Sequence, residues 1–369
     1  MAAAAAVPAP TKLRSTFAYD VRADQVDAIV RVSAFHRIDY DRAVIWFPPS
    51  THDRVRQSIA TPFPSPAAEA APAAPASAGL GILDQLPAEL AQEVLLQADL
   101  QSLFTLRQTS RGARQAVDAL RPYQVVTTHA LDVVCAVLRT GLAADVPLHA
   151  MYDTLCSQAC ALCDAAFAGF VFLFSWTRCC FACLQFAPQT HVQTPGAAQK
   201  KLGLTAADMA RLPVLRLLPG TYGLLQKATY KARMPLVSVH QAWLVSGQPE
   251  AALTAAAPAP WLRSKQVRRF PFMACCALPS VNRRTGVAEI GLFCAGCQLA
   301  HDHDIDGAWG EKSSTFPAFD ELYTRDGFVA HFRWCEHAQY LWRTSEEGTT
   351  QPAALPTVAR RRGFFEYDD

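Results

Sequence analysis

The sequence predicts a mainly α-helical chain with a small β component: a short helical module followed by an irregular α+β body stapled through its cysteines. Three observations predict it. Apolar residues recur at helical spacing between capping residues from Pro87 to Ser157. A Pro/Ala-rich stretch, IATPFPSPAAEAAPAAPASAG from Ile59 to Gly79, sets a boundary before them. Two Cys-x-x-Cys pairs then bracket the β-favouring run FAGFVFLFSW.

Residues Met1 to Thr16 read as a loose Ala/Pro-rich leader, and Phe17 to Trp46 carries patches of alternation, AIVRVSAF and AVIWF, suited to short strands. The Ile59–Gly79 stretch cannot bury enough apolar surface to offset its ordering entropy. Residues 1–79 are therefore expected to form a poorly ordered arm and linker. Pro87 opens a helix to about Gln97, at a position where its missing N–H costs nothing. Asp99 is the expected N-cap of LQSLFTLRQ, and Ser110 or Thr109 that of RGARQAVDAL. HALDVVCAVLRTG predicts a helix stopped by Gly141, and PLHAMYDTLCS another.

From Cys160 the predicted elements are a hairpin closed at its base and a short helix from Thr205 boxed by Asp208. A turn at PGTYG and a helix in LVSVHQAWLVSGQP ended by Gly247 follow. DGFVAHFRWCEHAQYLW, Asp326 to Trp342, predicts one helix capped by Asp326. The expected domains are thus 1–79, 80–121, 122–342 and a flexible tail over 343–369, which holds the Arg360–Arg362 run. No internal repeat supports a propeller or horseshoe.

Composition narrows the function classes. The 369 residues carry a net charge of +2, so no bulk attraction to polyanions is expected. The most apolar stretch, Ala165 to Phe174, is too short to cross a bilayer, and MAAAAAVPAP does not resemble a secretory leader. Twelve cysteines without a secretory route point to metal ligation in a reducing compartment, cytoplasmic or nuclear. There is no P-loop, dinucleotide fingerprint or Ser/His/Asp spacing, and no enzyme is expected.

The segment ILDQLPAELAQEVLLQADLQSLFTLRQTSRGARQAVDAL resembles an F-box. The matching positions are Leu86, Pro87, Glu89, Leu90, Val94, Leu95, Leu100, Leu103, Leu106, Ser110 and Arg111, while Ala98 stands where a larger apolar residue is common. The resemblance implies three helices packed against a Skp adaptor, which links them to a cullin scaffold. It makes Leu86, Pro87, Leu90, Leu95 and Leu103 the candidate adaptor contacts. With MYDTLCSQACALCDAAFAGFVFLFSWTRCCFACL, LPVLRLLPGTYG, GLFCAGCQ and HFRWC, the chain from about Gly79 to Trp342 is similar to a group of fungal F-box proteins with cysteine-rich carboxy-terminal regions.

Cys160-x-x-Cys163 and Cys180-x-x-Cys183 are separated by sixteen residues, a spacing that suits a tetrahedral zinc site. Cys179 could replace Cys180, Cys156 is a further candidate, and nearby Arg178 could favour thiolate formation. Cys294-x-x-Cys297 with His331-x3-Cys335 forms a second candidate set, with the last two on one helix face. Cys275 or Cys276 could contribute a ligand, and a single site mixing both regions is the alternative. The bland reading of either set is buried free thiols. HDHDID, His301 to Asp306, reads as a solvated acidic loop.

The expected function is a non-catalytic substrate receptor of a Skp–cullin–F-box ubiquitin ligase. Its structural zinc would support a body that binds an unknown target through Pro213–Trp243 or the amino-terminal arm. The alternative is a zinc-dependent nucleic-acid-binding regulator, against which the near-neutral charge counts. A RING needs eight interleaved ligands, which this set does not readily supply.

Overall fold

The computed structural model describes residues 14–48, 54–60, 80–163, 165–224, 227–248, 267–305 and 320–363. The Pro/Ala-rich stretch from 61 to 79 lies outside the described residues, as does the leader up to residue 13.

The arm holds α1 (Val26–Ser33), β1 (Ala34–Phe35), α2 (Ile38–Ala43) and α3 (Arg54–Ala60). Next come α4 (Ala88–Gln97), α5 (Leu100–Leu106), α6 (Arg111–Asp118), α7 (Arg121–His129), α8 (Leu131–Thr140) and α9 (Leu148–Cys156). The body continues with β2 (Phe170–Phe172), β3 (Thr177–Cys179), α10 (Phe181–Phe186), β4 (Val192–Gln193), α11 (Pro195–Leu202), α12 (Ala206–Ala210) and β5 (Leu215–Arg216). It proceeds through β6 (Gly220–Tyr222), β7 (Ala228–Tyr230), β8 (Pro235–Ser238), α13 (Val239–Val245), β9 (Cys275–Ala277), β10 (Ser280–Val281), β11 (Ala288–Glu289) and β12 (Phe293–Cys294). Last are α14 (Ala295–Ile305), α15 (Arg325–Phe332), α16 (Glu336–Thr344) and α17 (Thr357–Arg360).

Many local signals act as read. The Asp99 carboxylate accepts from the Ser102 amide at 2.8 Å, and the Ser110 hydroxyl accepts from the Ala113 amide at 3.0 Å. Thr205 and Asp208 form the reciprocal box at the start of α12. Gly141 ends α8 with φ of 88°, a left-handed conformation that costs glycine little. The run between the cysteine pairs is a hairpin, with Phe170 opposite Cys179 and Phe172 opposite Thr177. Its β2 strand also pairs with β9, giving the order β3-β2-β9.

Helices α4 to α9 share one core. Leu95, Leu100 and Leu103 are buried with Val126, Val133, Met151 and Leu155. The Leu100 amide donates to Val146 O and the Leu148 amide to Ala98 O, both at 3.0 Å, stitching the α4–α5 link to the entry of α9. The helical module therefore does not close as a separate unit at residue 121.

The expected loose arm is corrected. Ile29 and Val32 of α1 are buried with Phe328, Phe332 and Trp342, and β1 pairs antiparallel with β12, Ala34 opposite Cys294. The same holds for α3, where the carbonyls of Ser58 and Ile59 accept from the Arg107 guanidinium at 2.6 and 3.4 Å. The flexible tail is corrected over its described part. Val358 and Ala359 are buried, and the Ile38 amide donates to Arg362 O at 3.0 Å. Local composition carries no record of distant partners such as the β12 strand that pairs with β1 or the Ile38 amide that meets Arg362.

Three further readings change. Asp326–Trp342 is two helices: Thr324 caps α15, and Cys335 is the N-cap of α16. The HDHDI residues continue α14, with His301 buried rather than in a solvated loop. LVSVHQAWLV splits into strand β8 and helix α13.

A packed arm has a measurable consequence. Ile29→Ala should lower unfolding free energy by roughly 3 kcal/mol, the usual cost of emptying a fully buried aliphatic site. Phe17→Ala, at a side chain that is 81% exposed, should be near neutral. Denaturant unfolding of the two variants checks this, and equal midpoints would return the arm to a loose appendage.

Candidate functional site

Two surfaces of chemistry stand out: an apolar face on α4 and two clusters of metal-ligand side chains.

Helix α4 is apolar on two sides. Ala91 and Leu95 point into the core. Leu86, Leu90 and Val94 stay 38%, 55% and 49% exposed, and Ile82, in the 3-10 turn (Gly81–Gln85) that precedes the helix, is 81% exposed. Pro87 is exposed beside them as the N-cap of the helix. Among the expected adaptor contacts, Leu86, Pro87 and Leu90 thus lie at the surface. Leu95 and Leu103 do not: they are 4% and 0% exposed and build the module's interior, so the contact role assigned to them is corrected. Ile82 and Val94 extend the exposed stripe. On α4 the four-residue spacing of Leu90 and Val94 was the available signal.

The first cluster joins Cys160, Cys163, Cys180 and Cys183, whose sulfurs all lie within 4.8 Å of one another. The β2–β3 hairpin closes the sequence gap, Cys180 is the N-cap of α10, and Cys183 lies in its first turn. Cys163 Sγ and Cys180 Sγ are 3.7 Å apart, and Cys160 Sγ accepts from the Cys180 amide at 3.3 Å. Arg178 serves a different end from the one expected. It is buried and donates to the carbonyls of Thr154, Leu278 and Pro279, each at 3.2 Å, tying α9, β3 and the β9–β10 turn together. Cys179 is buried within β3, and neither it nor Cys156 joins the cluster.

The second cluster joins Cys294, Cys297, His331 and Cys335. Cys294 ends β12, Cys297 lies in the first turn of α14, His331 in the last turn of α15, and Cys335 caps α16. Cys335 Sγ is 3.8 Å from Cys294 Sγ and 3.9 Å from Cys297 Sγ, while His331 Nε2 is 3.3 Å from Cys297 Sγ. The ring's other nitrogen, Nδ1, is 3.2 Å from the Tyr323 hydroxyl, which donates to Glu321 at 2.7 Å. Tyr323 also stacks on the imidazole, with centroids 4.6 Å apart. This outer pair fixes the ring with Nε2 towards the sulfurs, the arrangement that orients a ligand histidine. Nothing in the spacing marked Tyr323 and Glu321 beforehand. Cys275 and Cys276 are buried in β9 and belong to neither cluster, so the two sets are separate.

Electrostatics within each cluster points the same way. Cys180's thiol holds Cys160 down at about 4, against burial. Burial, then Cys163, pushes Cys183 up to about 12. In the second cluster, hydrogen bonds from Cys294 and Cys297 hold Cys335 well below the usual thiol range, while burial drives Cys294 up. In each set one thiol is held down while neighbours are pushed up. A divalent cation removes that conflict.

The spacings fit such an ion. Tetrahedral ligation at about 2.3 Å per sulfur sets sulfur–sulfur edges of about 3.8 Å. The clusters show 3.7, 3.8 and 3.9 Å. Both donor sets could therefore hold a metal ion, through four thiolates in the first and through three thiolates and an imidazole nitrogen in the second.

Gly296, between the two cysteines of the second knuckle, is required by close approach. A Cβ there would sit 2.2 Å from the Ala338 amide nitrogen on α16. Gly296→Ala should push α14 off α16 and lower metal content at this cluster alone. Reduced protein should carry two metal ions per chain, and Cys180→Ser, His331→Ala and Gly296→Ala should each lose about one. Elemental analysis reads the outcome, and loss of both ions from any single variant would contradict two independent sites.

Residues 83–124 match the F-box domain. No curated protein and no solved structure matches the chain. The matched stretch takes in α4, α5 and α6 and runs into α7, so the helices that carry the exposed stripe belong to a module that, in general, binds a Skp adaptor and through it a cullin-based ubiquitin ligase.

Proposed function

We propose that this chain is the target-receptor subunit of a Skp–cullin–F-box ubiquitin ligase. One observation carries the reading: within the F-box match, Leu86, Leu90 and Val94 are exposed apolar side chains, with Ile82 exposed just ahead of it, while Ala91 and Leu95 on α4 are sealed into the core. Such a face costs solubility unless a partner covers it, and the adaptor is the partner the module implies. The receptor needs no reaction of its own. It raises the concentration of a target near a conjugating enzyme.

On this reading the metal is zinc and its role is structural. Protein side chains fill all four positions of each site, which leaves no open position for substrate. Ligand chemistry of this kind counts directly as folding free energy, on the order of 10 kcal/mol per site. The carboxy-terminal region, with short strands and long connections, is the part that gains most from it.

The test is capture of full-length chain by a purified Skp adaptor. Leu90→Asp with Val94→Asp should abolish capture and leave metal content and melting temperature unchanged, because both side chains are exposed. Leu103→Asp, at a fully buried site, should instead unfold the module. Undiminished capture by the Leu90/Val94 variant would remove the docking assignment.

A further inference from the structure

The net charge of +2 conceals a local imbalance. Two open cavities adjoin through Arg139, which lines both. One, of about 470 Å³, is lined by Arg42, Trp46, Arg139 and Lys227 together with the Pro219–Gly223 turn. The other, of about 960 Å³, is lined by Arg139, Arg216 and Arg233. Five cations thus line a trough made of two cavities that share Arg139. Among the described lining residues Asp39 is the single carboxylate, and it is buried and held by Arg37 at 2.7 and 3.2 Å.

The cations are mounted on packed elements. The Arg42 guanidinium lies over Trp46 at 4.6 Å and that of Arg139 over Phe47 at 5.1 Å. Arg216 is on β5, paired with Pro235 of β8. The trough is walled by residues 39–48 of the arm on one side and 214–235 on the other.

We infer that this trough binds an extended, carboxylate-rich segment of a target protein, with Arg139 at the junction of its two halves. The inference rests on the receptor reading above and names its substrate class. Guanidinium forks suit carboxylates, which they grip through paired N–H donors. Nucleic acid fits less well, since single strands need a row of aromatic faces and a longer basic track, whereas here Trp46 is already covered by Arg42.

The experiment titrates full-length chain with a fluorescent peptide of Glu and Asp around one Tyr, and with its Gln/Asn counterpart. The acidic peptide should bind, weaken as salt is raised, and outcompete its amide counterpart by at least about tenfold. Arg139→Glu with Arg216→Glu and Arg233→Glu should weaken it by at least about tenfold, while the three lysine replacements retain most binding. Arg216 and Arg233 are exposed, so the double variant at those positions carries the test should the Arg139 change disturb folding. Equal binding of the two peptides, indifference to charge reversal, or tighter competing binding by a single-stranded RNA would overturn the inference. Adaptor capture is measured on the same preparations. Capture without peptide binding rejects the trough alone, and peptide binding without capture rejects the receptor reading.

Discussion

The second cysteine cluster is the constraint on which most of the tertiary structure turns. It brings Cys294 and Cys297 to His331 and Cys335, four donors from four elements, with the three cysteines buried in an apolar core. Everything around it depends on that convergence. The arm supplies β1 to pair with β12 and α1 to wall the cluster. The Ser15 and Tyr19 amides donate to the Trp334 and Arg333 carbonyls at 2.8 Å, so the arm also braces the link that carries Cys335. The described end of the chain in turn packs on residues 38 and 39 of the arm. Several buried sulfurs within van der Waals reach cannot all ionise, and a cation held between them would relieve that conflict.

How much of this was legible in the sequence follows from range. Signals that act within a few residues were readable: the caps at Asp99, Ser110 and Thr205, the stop at Gly141, and the first cysteine set, whose halves are joined by a hairpin the residues themselves favour. Signals that require a distant partner were not. Ala34 and Phe35 look like a fragment of alternation until Cys294 and Phe293 lie opposite them. The break between α15 and α16 carries no Gly or Pro. It is stabilised from a distance, by the Gln339 side chain donating to the Phe332 and Arg333 carbonyls at 3.1 and 2.9 Å and so satisfying groups a continuous helix would have paired internally. The four candidate ligands of the second set still converge, because residue type and spacing survive the wrong helix boundary.

The F-box leucines show the same limit at closer range. Resemblance marks apolar positions without saying which side of the helix each serves. Leu90 and Leu95 lie five residues apart on α4, and the structure sends one to solvent and the other to the core. On α4 the pairs Leu90/Val94 and Ala91/Leu95 each follow the helical period one position apart, and the structure turns the first outward and the second inward, whereas the family pattern mixes both.

On the proposed reading a receptor must hold its target at a set position relative to the ligase, and packing supplies the means. A flexible linker would spread the target over a wide volume. Here the module's core continues into α7–α9, and backbone hydrogen bonds at Leu100 and Leu148 fasten it on two sides. Arg178 then ties α9 to the β3–β2–β9 sheet, and α8, which ends beside Arg139, forms one wall of the cationic trough. The path from docking face to trough therefore runs through buried side chains and paired backbone at every step. The proposed target segment would approach a ligase from one fixed direction, set by the same core that leaves Leu90 and Val94 outside.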